Sequence, residues 1–218
     1  GLTVSMKLTA SINRTRAAIS NIQNSLSFGE VQDGGLQAAA RIVDRLAELK
    51  SLSLDVMKSS ADISNYNTEF QALQQQLYSI TQETFNGVSL FASTASGGGA
   101  TTFGTDKHVV SVFTSDRGAA GSVVSLHKAT LLAALTFNGT SAGTASTEAG
   151  ATGGNNITLA NQSSMLSIGA LGISFFTKAL ENIATLRAEN GATMTRLQFA
   201  EDHLRLTSAN LEAANSRI

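Results

Sequence analysis

The sequence predicts a mainly α fold: an elongated antiparallel bundle of two long terminal helices and one shorter helix, carrying a β-hairpin and a small inserted β or α/β module. Three observations lead there. Over residues 178–218 apolar positions recur every seven residues, at Ile183, Leu197, Leu204, Leu211 and Ile218, with Asn190 in the same register and Leu180 and Met194 at the intermediate positions. A second set of helical spacings fills residues 2–57 at the other end of the chain. Between them, residues 92–165 change abruptly to Ala, Ser, Thr and Gly.

The N-terminal run steps through Ile12, Ile19, Ile22 and Leu26, then through Ile42, Leu46, Leu49 and Val56. No proline interrupts it, but Gly29, Gly34 and Gly35 lie between the two halves. Each costs up to about 1 kcal/mol relative to Ala in a helix, so either a kink near residues 27–35 or a packed partner that carries the helix straight through is expected, and the second is favoured. Ser59, Ser60 and Asp62 make a polar joint, with Asp62 or Ser64 placed to cap the next helix. Phe70, Leu73, Leu77 and Ile80 then mark a shorter helix over residues 69–82. After it, Asn86-Gly87 supplies the positive φ angles of a tight turn, and Val88, Leu90 and Phe91 suit a strand.

Within the insert, β-like pieces are expected at 108–113, 122–126 and 157–159, and a helix at 126–135. The glycines at 97–99 and 153–154 read as flexible punctuation. Residues 165–170 read as a strand leading into the C-terminal helix. The resulting organisation is 1–91 and 166–218 as two halves of a helical core, with 92–165 as a surface-exposed insert. A helix rises ~1.5 Å per residue, so such a bundle would be roughly 60 to 80 Å long.

Composition narrows the function. The formal charge is -1, from 15 Lys and Arg against 16 Asp and Glu, which leaves no electrostatic footprint for nucleic acid or an anionic bilayer. With no cysteine, disulfides and thiolate metal sites are excluded. The longest apolar run, 166–176, is broken by Ser and Gly and is too short to span a membrane. His108, His127 and His203 are far apart, with neither a zinc-binding H-E-x-x-H helix nor a G-x-S-x-G nucleophile elbow around them. The glycine-rich stretches lack the Gly-Lys-Ser/Thr of a phosphate loop. Glu201-Asp202 reads as a solvated helix face rather than an acid/base pair. No catalytic residue, cofactor or metal is expected, and the chain does not read as an enzyme.

Several stretches resemble the bacterial flagellins. The opening Gly1-Leu2-Thr3-Val4-Ser5-Met6-Lys7-Leu8 is similar to the start of the flagellin core, and Asp33-Gly34-Gly35-Leu36 to the family's Glu-Gly-Ala-Leu. Arg45-Leu46-Ala47-Glu48-Leu49 resembles Arg-hydrophobic-Arg-Glu-Leu, with Ala47 in place of arginine. Thr84-Phe85-Asn86-Gly87-Val88 resembles Thr-x-Phe-Asn-Gly-Val, shortened by one residue, and the final Leu211 to Ile218 is similar to Leu-x-x-Ala-x-Ser-Arg-Ile. The matches cover 1–91 and about 166–218.

That resemblance implies an extracellular structural subunit of the flagellar filament, built by self-assembly and supporting motility. It implies further that the segments pairing in the filament's inner tube lie outside this chain, so that this portion by itself is expected to run as a monomer. Possible partners it brings are other copies of the protein, an export chaperone and the vertebrate innate immune receptor for flagellin. Arg45, Leu49 and Glu69 match positions where the family packs against the next subunit and is bound by that receptor; the alternative is an intramolecular Arg–Glu contact beside a seam leucine. Asn86, Gly87 and Val88 would form a hairpin switch that lets neighbouring subunits slide between packings. Two other roles remain open: a flagellin-like surface adhesin, whose insert carries Lys107, His108, Arg117, His127 and Lys128, and the hook-filament junction protein. N-glycosylation triplets begin at Asn13, Asn138, Asn156 and Asn161, and the insert's Ser and Thr could carry O-linked glycans, but solvent-facing loop is the simpler reading.

Overall fold

The computed structural model describes residues 1–92, 103–104, 108–138, 156–161 and 164–218. The glycine-rich stretches at 97–99 and 153–154, and Lys107, lie outside the described residues. Along the chain run α1 (Leu2–Ser53), α2 (Ser60–Thr81), β1 (Thr84–Phe85), β2 (Val88–Ser89), β3 (His108–Phe113), a 3-10 turn (Gly118–Ala120) and β4 (Val123–Lys128). These are followed by α3 (Leu131–Ala134), β5 (Thr136–Asn138), β6 (Asn156–Thr158) and α4 (Ile173–Ser216). The described strands form three separate two-stranded sheets, β1-β2, β3-β4 and β5-β6. Long terminal helices with small antiparallel strand pairs are the fold class expected from the sequence.

The chain forms two compact units, one of Gly1–Glu30, Val109–His127 and Glu189–Ile218, the other of Val31–His108 and Lys128–Ala188. In the first, the opening of α1 and the close of α4 run antiparallel. Ser5 Oγ donates to Asn215 Oδ1 at 3.0 Å, Gln23 Nε2 to Glu201 Oε1 at 3.3 Å, and Asn190 Nδ2 to the Gly29 carbonyl at 2.8 Å. Arg16 pairs with Glu212 along the same contact. The unit buries Ile12, Ala18, Ile19, Ile22 and Phe28 from α1 with Leu197 and Leu204 from α4. The β3-β4 hairpin adds Val112, Val124 and Leu126, and its tip is tied to α1 by Ser11 Oγ donating to Asp116 Oδ2 at 2.6 Å.

The second unit buries Leu36, Ala39, Val43, Leu46 and Leu49 of α1 with Phe70, Leu77 and Ile80 of α2. Phe175, Phe176, Ala179, Ile183 and Leu186 of α4 complete this core. Phe70 meets Phe176 edge-to-face at 6.0 Å between ring centroids, and Phe137 of β5 meets Phe175 at 5.4 Å. Asn182, buried on α4, donates to the Ala134 carbonyl at 2.9 Å, so the end of the one-turn α3 is satisfied by a side chain. The buried Gln32 accepts from the Ala129 N–H at 2.9 Å, while the Ala129 carbonyl accepts from Ala92.

Several expectations are corrected. Helix α1 is continuous through Gly29, Gly34 and Gly35, as favoured, but ends at Ser53. Val56 is therefore not a seam residue: it lies beyond the helix and is 94% exposed. The α2 cap is Ser59, not Asp62 or Ser64. Ser59 Oγ accepts from the Asp62 N–H at 3.2 Å and the Asp62 carboxylate accepts from the Ser59 N–H at 3.0 Å, a reciprocal capping box. On α4 the second seam positions are Ala179, Leu186 and Thr193, all buried, whereas Leu180 and Met194 are only half-buried. Ile218 lies past the helix and is 56% exposed.

In the insert, the strands at 108–113 and 123–128 fall close to where the sequence put them, but the helix expected over 126–135 shrinks to four residues. Leu126 belongs to β4, and Thr136–Asn138 form β5, paired with β6 through Thr136↔Thr158 and Phe137↔Ile157. Residues 165–170 are not a strand. Their main chain is held by side chains: Gln74 accepts from the Leu166 N–H at 3.0 Å and donates to the Leu166 carbonyl at 2.9 Å. Asn67 accepts from the Ile168 N–H at 2.8 Å, and Lys50 Nζ donates to the Ile168 carbonyl at 3.0 Å. These side-chain bonds satisfy the main chain of a stretch that buries only Ile168 and has no sheet partner.

Candidate assembly surface

Arg45 and Glu69 come together as a bidentate pair on one surface of the second unit. Arg45 Nε donates to Glu69 Oε1 at 2.8 Å and its terminal amine to Glu69 Oε2 at 3.0 Å. The other amine of the fork reaches Glu48 Oε1 at 3.0 Å, one helical turn along α1. The fork geometry explains why arginine suits this position better than lysine. Hydrogen bonding to Arg45 holds the Glu69 carboxyl below its ordinary range, and Glu69 and then Glu48 raise the guanidinium further above its own. Leu49 does not join them at the surface. It is fully buried one turn further on and anchors this part of α1 in the core.

The Asn86-Gly87 hairpin stands in the same unit. Asn86 has φ 51° and Gly87 φ 76°, two successive positive values that define the turn between β1 and β2. The ladder is short, with Thr84↔Ser89 and Phe85↔Val88 in register, and Leu90 N–H donates to the Glu83 carbonyl at 2.9 Å just beyond it. Val88 is half exposed at 50%, whereas Leu90 and Phe91 turn inward and are buried. Gly35 of α1 permits this: a Cβ there would lie 2.8 Å from Phe91 Cζ.

The sequence reading missed one surface feature. Phe199 and Leu206, seven residues apart on α4, share a face and are 71% and 60% exposed. Ala192 and Ala213, each a further seven residues away, are exposed in the same register. Phe199 and Leu206 are the most exposed large apolar residues of α4 and form an outward stripe. The stripe is legible as a second seven-residue spacing, Phe199 to Leu206, shorter than the 183-197-204 register. Glu201, by contrast, is not simply solvated: it pairs with Arg205 at 2.7 Å and accepts from Gln23.

Among the described residues no three His, Cys, Asp or Glu side chains converge on a point that could hold a metal. No helix formed by them is long and apolar enough to cross a membrane. Long terminal helices flank small strand pairs, and the described surface carries the Arg45–Glu69 ion pair and the exposed apolar stripe of α4. No protein-family model matches the sequence. The chain is similar to the flagellar filament 30.7 kDa core protein of Treponema maltophilum, at 26% identity over 100% of this chain and 70% of that protein. Its fold is similar to that of the crystal structure of Bacillus cereus flagellin, with a TM-score of 0.59 at 19% identity, covering 90% of this chain and 94% of the other.

Proposed function

We propose that this protein is a structural subunit of the bacterial flagellar filament, acting outside the cell and supporting motility by self-assembly. One observation carries the reading: a flagellar filament core protein aligns with the whole of this chain. Its work is mechanical, and the relevant chemistry is that of packed helix faces. Repeated contacts between unlike faces of identical copies do not close and so generate a helical filament. Phe199 and Leu206 supply apolar contact in that assembly. Arg45 and Glu69 present a fixed ion pair to the neighbouring copy, and the buried Leu49 holds the helix that carries them. The hairpin at Asn86, Gly87 and Val88 acts as the compliant joint between packings.

An export chaperone is the further partner this role calls for before assembly, and the Arg45–Glu69 surface is the candidate contact for the vertebrate innate immune receptor. The test is immunogold electron microscopy on cells producing the protein, with antibodies raised against residues 108–138. Label distributed along the whole filament is expected. Label confined to the base of the filament would instead identify a junction protein, and label on the cell body a surface adhesin; either result overturns the proposal.

A further inference from the structure

We propose that Asn86 is a site of spontaneous covalent modification, by deamidation through a cyclic imide, and that the fold confers this reactivity on Asn86 while withholding it from Asn190. The sequence contains three Asn-Gly pairs, at Asn86-Gly87, Asn138-Gly139 and Asn190-Gly191. The reaction needs the main-chain nitrogen after the asparagine to reach the side-chain carbonyl carbon. A glycine in second place leaves that approach unobstructed, because it has no Cβ. A C–N bond forms, the bond to the side-chain nitrogen breaks, and ammonia leaves with the proton lost by the attacking amide. Water then opens the imide at either carbonyl and gives aspartate or isoaspartate. No oxidant or cofactor enters.

Two of the pairs sit in opposite surroundings. Asn86 and Gly87 are both exposed, and nothing lies within 4 Å of where a Gly87 Cβ would be. The turn is held by a ladder of two residue pairs and the Leu90 to Glu83 bond, so the rotation that brings nitrogen to carbon disturbs little. Asn190 is 2% exposed in the interior of α4, and its side-chain nitrogen donates to the Gly29 carbonyl at 2.8 Å. Reaction there would require the helix to open and the buried bond to break. The residue after Asn138 lies outside the described residues, and the proposal does not involve that pair.

The two products differ in consequence. Aspartate keeps a turn-compatible Asp-Gly pair and only adds a negative charge near Glu83. Isoaspartate inserts a methylene into the main chain of a two-residue turn, which destroys the Thr84↔Ser89 and Phe85↔Val88 register. The exposed hairpin would therefore change with the age of the protein, independently of whether it serves filament assembly.

The experiment is peptide mass spectrometry on folded protein held at mildly alkaline pH, with isoaspartyl methyltransferase labelling to separate the two products. The peptide containing Asn86 should gain the mass of amide-to-acid conversion severalfold faster than the peptide containing Asn190. In urea the difference should disappear, since both sites then present the same Asn-Gly dipeptide to solvent. The variant Asn86→Gln, whose longer side chain cannot close the five-membered imide, should remove the early signal. Equal rates in the folded protein, a faster Asn190, or a preference that survives in urea would overturn the proposal.

Discussion

Asn190 of α4 reaches the main-chain carbonyl of Gly29 on α1 at 2.8 Å, at a point where the side chain of Met194 leaves no room for a Cβ on Gly29. The glycine and the asparagine therefore belong to one contact. A Cβ at Gly29 would sit 2.8 Å from Met194 Cγ, so the absent side chain is what lets Met194 lie against the α1 backbone. A polar residue in a buried seam fixes register because sliding by one turn leaves its amide unpaired. Replacing Asn190 with Ala should lower stability by about 1–3 kcal/mol, from the lost bond and the unfilled space. Urea denaturation checks this, and an unchanged midpoint would show that the bond is dispensable.

Gly34 and Gly35 are neighbours in α1 with opposite surroundings. Nothing lies within 4 Å of a Gly34 Cβ, whereas a Gly35 Cβ would meet the buried Phe91 ring at 2.8 Å and 3.3 Å. Gly34→Ala should raise stability by up to about 1 kcal/mol through helix propensity. Gly35→Ala should lower it by ~1–3 kcal/mol through overpacking, after any propensity gain. Thermal unfolding of the two variants decides the matter, since equal shifts would refute the packing role of Gly35.

Acid should loosen α2 before it disrupts the apolar core. The Asp62 carboxyl is held below its ordinary 3.8 by the N–H and then the hydroxyl of Ser59, and Glu69 below its ordinary 4.5 by Arg45. Both folded values are depressed, so their contributions are complete above the ordinary values and are lost as the pH falls through the folded ones. Both groups are exposed, so solvent screens the effect. An NMR titration should show the Asp62 and Glu69 carboxyls protonating below 3.8 and 4.5 respectively, with the Asp62 shift reduced but not abolished in Ser59→Ala, which loses the hydroxyl and keeps the N–H.

Charge reversal separates an assembly role for Arg45 from a folding role. Arg45→Glu should leave the midpoint of thermal unfolding nearly unchanged, because exposed ion pairs contribute little to stability. If the surface contacts a second copy, the same variant should lengthen the lag of self-assembly measured by light scattering. Arg45→Glu combined with Glu69→Arg should restore the internal pair. Recovery of polymerisation by the double variant would mean that neighbours read the pair's rigidity, and persistent loss that they read its charges.

Phe199 offers a cleaner surface probe. At 71% exposure its replacement by Asp should leave stability within about 0.5 kcal/mol of the parent, as for most surface substitutions. Filament yield should fall sharply if the outward stripe is an assembly contact. Unchanged yield would remove Phe199 from the interface.

The amino-acid sequence by itself determined the elements whose signals are local. Helical spacing placed both long helices, Asn86-Gly87 placed the hairpin turn, and Gly29, Gly34 and Gly35 did not break α1 because favourable neighbours and packing outweighed them. Arg45 and Glu69 were legible as candidates that the structure then joined. Spacing also marked Leu49 as a seam position, and it is buried. Tertiary structure decided that the line through Phe199 and Leu206 on α4 stayed outside, because burial depends on what packs opposite the helix. It also decided the path of residues 165–170, whose alternating apolar pattern predicts a strand. Gln74, Asn67 and Lys50 satisfy that backbone from distant positions, and no local rule shows which side chains a fold will bring within hydrogen-bonding distance.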